Sequence, residues 1–195
     1  MPLPAPAPRR HMHTRSVSYQ GYQRDDGLWD IEALLTDVKP YSFTGLDGSD
    51  IPADKPIHGM GIRLTIDESL VIQAIATTVD HAPYGECQQG NAPVQQLVGA
   101  RLGPGWRQAI EQALGGVRGC THLRELLFNM ATAAYQALFP VLERRRREEA
   151  AATGQKPAPG HLNGCIAWDS RGPVTARLYP HFVNWQKRPK PPSPT

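Results

Sequence analysis

Apolar and polar residues alternate from Met60 to Ile66, with Met60, Ile62, Leu64 and Ile66 separated by Gly61, Arg63 and Thr65. That is the period-two signature of a strand with one buried face. Asp67-Glu68-Ser69 then predicts a turn into Leu70 to Val79, rich in β-branched residues, so the two runs read as an antiparallel hairpin. An earlier hairpin is predicted from His13 to about Lys39. Val17, Tyr19 and Tyr22 precede the turn signal Asp25-Asp26-Gly27, and Leu28, Trp29 and Ile31 follow it. Residues 40–56, with three prolines and two glycines, predict a connecting loop.

The spacing changes after Cys87. Asn91 as N-cap and Pro93 in the first turn predict a short helix through Leu97. A second helix is predicted from near Pro104, with Trp106, Ile110 and Leu114 on one face and Gly115-Gly116 at its end. The clearest is the third: Leu123, Leu126, Leu127, Met130, Ala134 and Leu138 keep the three-and-four spacing of a core-facing stripe. Thr121 is placed to cap it and Pro140 lies near its stop. Arg144 to Glu149 extends it as a charged, solvated helix, and Thr153 to Pro159 reads as a linker. A last strand pair is predicted at about 164–168 and 174–178, joined across Asp169-Ser170-Arg171-Gly172. The expected fold class is α+β, an antiparallel sheet of hairpins covered by helices. Residues 1–12, rich in proline, are expected to be a disordered tail, 13–185 a single domain with the helix extension and linker at about 143–160, and 186–195 a second disordered tail.

Length and charge narrow the function classes. A chain of 195 residues can bury a core without staples. Lys and Arg number 21 against 18 Asp and Glu, a net of +3 with much of the surplus near the ends, which argues against a nucleic-acid partner. The three cysteines, Cys87, Cys120 and Cys165, are irregularly spaced and read as reduced thiols, hence a cytoplasmic setting. No run of about 18 apolar residues and no apolar leader is evident, so no membrane association is expected.

The candidate chemistry centres on Gly119-Cys120-Thr121-His122-Leu123, where a thiol and an imidazole stand at the start of the third helix. A helix N-terminus favours an anionic thiolate. His58 sits just before the outgoing strand of the second hairpin and Cys87 a few residues beyond the end of the returning strand, which puts both at one edge of the sheet. His58, Cys87, Cys120 and His122 are therefore candidate ligands for zinc or iron, or for an iron–sulfur cluster, with His81 in reserve. The competing reading is equally open: a free cysteine is often a small buried hydrophobe, and a histidine at a helix start is often only hydrogen-bonded. His11 and His13 read as a basic lip with Arg9, Arg10 and Arg15; His161 and His181 read as structural, and Cys165 as core.

A second constellation lies in the first hairpin: Arg15, Tyr22, Arg24, Asp26, Trp29, Asp30, Glu32 and Asp37. Arg15 and Arg24, with Asp26 and Trp29, are candidates to bind a small anionic molecule or a partner protein. The alternative is cross-strand pairing of Arg24 with Asp30 or Glu32 on a solvated face. No phosphate loop, nucleophile elbow or dinucleotide fingerprint is present.

The strings His13-Thr14-Arg15, Gly21-Tyr22-Gln23-Arg24-Asp25-Asp26-Gly27-Leu28-Trp29-Asp30-Ile31-Glu32, His58-Gly59-Met60 and Gly119-Cys120-Thr121-His122-Leu123 resemble the bacterial domain of unknown function 2889 family over about residues 9–182. That resemblance implies a family and no activity. More remotely, the order of hairpin, cysteine, helices and a Cys/His pair is similar to the U-type iron–sulfur cluster assembly scaffolds, which implies a U-type scaffold-like core. In that layout His58 stands at the first cysteine, Cys87 at the second, and Cys120 with His122 near the His-Cys pair. The first ligand departs from cysteine and the last pair departs in order and spacing, so the resemblance implies a metal or cluster site more than cluster delivery. Three function classes follow: a metal- or cluster-binding protein, a metal-dependent enzyme whose small anionic substrate is held by Arg15 and Arg24, and a metal-free structural or interaction protein.

Overall fold

The computed structural model describes residues 3–186. Its main sheet has four antiparallel strands in chain order: β1 (Thr14–Gln23), β2 (Trp29–Val38), β5 (His58–Ile66) and β6 (Ile72–His81). The short β3 (Phe43–Thr44) and β4 (Asp50–Ile51) pair with each other inside the stretch predicted as loop. Among the described residues no helix is long and apolar enough to cross a membrane.

Both predicted hairpins form where their turn residues allow. Gly27 takes the left-handed conformation, φ 85°, inside a turn closed by the Arg24 N–H on the Leu28 carbonyl at 2.9 Å. At the second turn Asp67 accepts the N–H groups of Ser69 at 2.8 Å and Val71 at 3.0 Å, and the carboxylate stands in for a turn's own hydrogen bond.

The sheet has one apolar and one solvated face, as strand alternation requires. Trp29, Ile31, Ala33 and Leu35 of β2 and Met60, Ile62, Leu64 and Ile66 of β5 are buried. The opposite face carries cross-strand polar pairs, among them Arg63 on Glu32 at 2.7 Å and Thr65 on Asp30 at 2.6 Å.

Helices α1 (Trp106–Leu114) and α2 (Thr121–Thr153) bury Trp106, Ile110, Leu114, Leu123, Leu126, Leu127, Met130, Ala134 and Leu138, the two stripes expected from spacing. The Trp106 indole N–H donates to the Leu127 carbonyl at 2.8 Å, which satisfies a buried donor. Helix α2 approaches β1 so closely at Gly21 that a Cβ there would lie 2.6 Å from the Ala137 Cβ. The fold is α+β, a sheet of hairpins covered by helices. The short helix predicted through Leu97 is a run of 3-10 turns from Gly85 to Leu97.

Two local expectations change in α2. Cys120, not Thr121, occupies the cap of α2: its carbonyl accepts the Arg124 N–H at 3.0 Å, and Thr121 is already helical. The helix continues past Pro140 to Thr153, with Gly154 in the left-handed conformation that ends it. Pro140 has no N–H to offer the Gln136 carbonyl, and the chain divides there into two compact units, Met1–Phe139 and Pro140–Thr195.

The predicted last strand pair is absent from the second unit, which has 3-10 turns at Ile166–Trp168 and a helix, α3 (Pro173–Leu178). Pro173 follows Gly172 at the first helical turn, where a missing N–H costs nothing and the chain turns helical instead of extended. Cys165 is exposed rather than core. Buried Ser170 ties this unit together, with its hydroxyl donating to the Trp185 carbonyl at 3.0 Å and its N–H to the Asn163 side-chain carbonyl at 2.8 Å. The tail expected at 186–195 lies, from residue 187 on, outside the described residues.

Candidate metal centre

Strand register builds the site. Arg15 pairs with Asp37 across β1 and β2, and Asp37 pairs with His58 across β2 and β5, so three polar side chains form one row at the end of the apolar face. Asp37 takes the inward parity of Trp29, Ile31, Ala33 and Leu35 and is only 2% exposed. A buried carboxylate must be paired and hydrogen-bonded to persist.

Asp37 is surrounded by donors. Arg15 forks onto it, Nε to Oδ1 and a terminal nitrogen to Oδ2, each at 2.9 Å. His13 Nε2 lies 2.9 Å from Oδ1, and His58 Nδ1 lies 3.0 Å from Oδ2. Burial pushes the carboxyl up, but the Arg15 fork, with the His13 and His58 hydrogen bonds, outweighs it and holds the group down at about 2. Asp37 is thus an anion at neutral pH. Arg15 also reaches Glu125 of α2 at 2.7 Å, so two carboxylates face one guanidinium.

His122, in the first turn of α2, completes the group. Its ring stacks on His58 with centroids 4.0 Å apart, and its Nε2 lies 3.9 Å from Asp37 Oδ2. Burial lowers its pKa, and the nearby His58 and Arg15 lower it further, so the ring is neutral at pH 7 with a lone pair free to bind. One donor atom each from Asp37, His58 and His122 lies within 4.8 Å of the other two. Three such donors with metal bonds of about 2.0–2.1 Å in a tetrahedral site stand about 3.3 Å apart. The separations of 3.0 and 3.9 Å from the carboxylate oxygen bracket that value.

The other sequence candidates sit around this group. Cys120 Sγ lies 3.8 Å from His122 Nδ1 and 3.8 Å from Met60 Sδ, so it addresses the ring nitrogen away from Asp37. Gly90 makes room for it, since a Cβ there would be 2.7 Å from the Cys120 Cβ. An open cleft of about 1030 Å³ is lined by His58, Cys120 and His122 together with Cys87, Tyr84 and Arg118. Cys87 is therefore on the wall of the same cleft, outside the three-residue group. The reserve residue His81 is exposed and packs its ring over Gly59, its partner across β5 and β6.

The anion site expected from Arg15 and Arg24 does not assemble. Arg15 stands at the start of β1 and Arg24 just past its end, roughly 30 Å of extended chain apart. Arg24 pairs with Asp26 at 2.6 Å and lies 3.6 Å from Asp30, while Glu32 goes to Arg63. Trp29 is buried in the core at 8% exposure. Two residues of the site were not anticipated in their roles. Asp37 reads in the sequence as one of the hairpin charges, and its signal is an acid at an inward strand position. His13 reads as part of a basic lip, and its place two residues before Arg15 is the hint the sequence carries.

No curated protein and no solved structure matches this chain. A family model described as "Protein of unknown function (DUF2889)" matches residues 13–136, which takes in His13, Arg15, Asp37, His58, Cys120 and His122, and the chain belongs to that family.

Proposed function

We propose that the protein binds a single divalent first-row metal ion, zinc or ferrous iron, through Asp37, His58 and His122. The observation that carries this reading is the meeting of the three donor atoms within 4.8 Å around a carboxylate that is ionised at neutral pH. Asp37, His58 and His122 would hold the ion, while the Arg15 fork on both carboxylate oxygens and His13 on Oδ1 would orient the Asp37 carboxylate. Nitrogen and oxygen donors suit a mononuclear ion better than a sulfide cluster, which is held chiefly by thiolates. Because His58 and His122 also line the open cleft, a three-ligand ion there keeps a position for water or a substrate carbonyl, the condition for a metal-dependent enzyme.

The test is metal content after purification without affinity-tag histidines, followed by titration of the metal-free protein with zinc and, without oxygen, with ferrous iron. One ion per chain is expected, lost in His58→Ala and His122→Ala and retained in Cys120→Ser. Absence of uptake by the folded wild-type chain overturns the reading.

A second reading rests on a different alignment: Cys120 Sγ, His122 Nδ1 at 3.8 Å, and His122 Nε2 at 3.9 Å from Asp37 Oδ2 form a thiol–imidazole–carboxylate line that opens on the cleft. That is the order of nucleophile, base and orienting acid in cysteine-based acyl transfer, and apo distances are often longer than working ones. It requires metal-free protein in which iodoacetamide alkylates Cys120 faster than Cys87 or Cys165, with the preference lost in His122→Ala.

A further inference from the structure

The second unit holds a different kind of site. A hollow of about 460 Å³ is lined by Arg146, Arg147, Ala150, Lys156, Leu178 and Tyr179, three cations and no acid. Their charges are not equally committed. Arg146 forks onto Glu143, with its Nε 3.2 Å from both carboxylate oxygens and a terminal nitrogen at 3.0 Å, and lies over the Tyr179 ring at 5.4 Å. Glu148, the next acid along the helix, goes to Arg144 on another side of it. Arg147 has no ion pair among the described residues, and Lys156 turns its ammonium to a base rather than an acid, 2.8 Å from His181 Nε2. Two cations therefore converge on one concavity without a counter-charge, an arrangement that favours an anion.

We propose that this hollow binds the phosphate group of a small phosphorylated molecule, with Arg147 and Lys156 as its charge partners and the Arg146–Tyr179 pair as its wall. Two uncompensated cations match the charge of a phosphate monoester, close to two at neutral pH, better than a single carboxylate. A small molecule fits better than a nucleic acid strand. Successive residues Arg144 to Arg147 point to different sides of a helix, about 100° apart, and make no continuous basic stripe. The hollow is also a pocket of limited volume rather than a groove.

The experiment is calorimetric titration of the full chain with inorganic phosphate, pyrophosphate and a sugar phosphate, using two double variants. Arg147→Ala with Lys156→Ala removes the proposed partners, both exposed, so folding is preserved. Arg144→Ala with Arg177→Ala removes the same charge outside the hollow. Saturable binding at one site per chain is expected, weakened about tenfold or more in the first variant and within about twofold in the second. No saturation with any of the three ligands overturns the proposal. So does an equal loss in both variants, which is diffuse charge attraction. Tighter binding to duplex DNA or to anionic vesicles than to pyrophosphate likewise overturns it, in favour of a polyanion surface.

Discussion

Asp37 and His58 are register partners across β2 and β5, and the imidazole Nδ1 meets the carboxylate Oδ2 at 3.0 Å. The contact is a consequence of strand parity. Both residues occupy inward positions of strands whose other inward positions are apolar, so neither can turn to solvent without breaking the register that buries Leu35 and Met60. The sheet therefore holds the two donors together with or without a metal.

Replacing either imidazole removes a donor from the centre. His58→Ala and His122→Ala are each expected to weaken zinc binding by more than about 100-fold, beyond the 10–100-fold of outer-shell changes. Arg15→Lys, which keeps the charge but loses the fork on Asp37, is expected to fall within that smaller range. Competition with a zinc chelator of known affinity measures all three. A His122→Ala variant with wild-type affinity would remove His122 from the site.

Acid should act on the same carboxylate. The pKa of Asp37 is depressed from 3.8 to about 2 in the folded protein, so the stability it contributes is present above 3.8 and is lost as pH falls through about 2. That contribution is about 2 kcal/mol. Asp37→Asn should be less stable than wild type near pH 6, with the gap narrowing as pH falls from 4 toward 2. Urea unfolding followed across that range on metal-free protein checks it. A constant gap would mean that Asp37 is not held as an anion.

The close approach of α2 to β1 gives a prediction about packing. Gly21→Ala places a Cβ 2.6 Å from that of Ala137, against the helix itself rather than a flexible side-chain end. A loss of about 1–3 kcal/mol is expected, in the range of overpacked cores. Leu127→Ala, which removes a fully buried side chain, should cost about 2–5 kcal/mol. Chemical denaturation measures both. A neutral Gly21→Ala would mean that the helix can ride further from the strand.

Much of this molecule was legible in the sequence wherever one face of an element is buried. The alternation through Met60–Ile66 and the stripe from Leu123 to Leu138 announced β5 and α2 because hydrophobic burial has the period of the element that does the burying. The expected last strand pair does not form, because that segment is ordered by local polar bonds such as Ser170 to Trp185, which leave no apolar period. Of the metal centre, His58 and His122 could be anticipated from element ends. Asp37 could have been found too: an acid at the inward parity of Ile31, Ala33 and Leu35 demands buried partners. His13 lies outside any element, and its side chain takes its place through a tertiary contact with Asp37.

X-ray absorption at the metal edge of the loaded protein tests the central claim most directly. Coordination through Asp37, His58 and His122, with Cys120 on the far side of the His122 ring, predicts a first shell of nitrogen and oxygen only, at about 2.0–2.1 Å for zinc. A sulfur shell at about 2.3 Å would contradict it and place Cys120 or Cys87 on the ion instead.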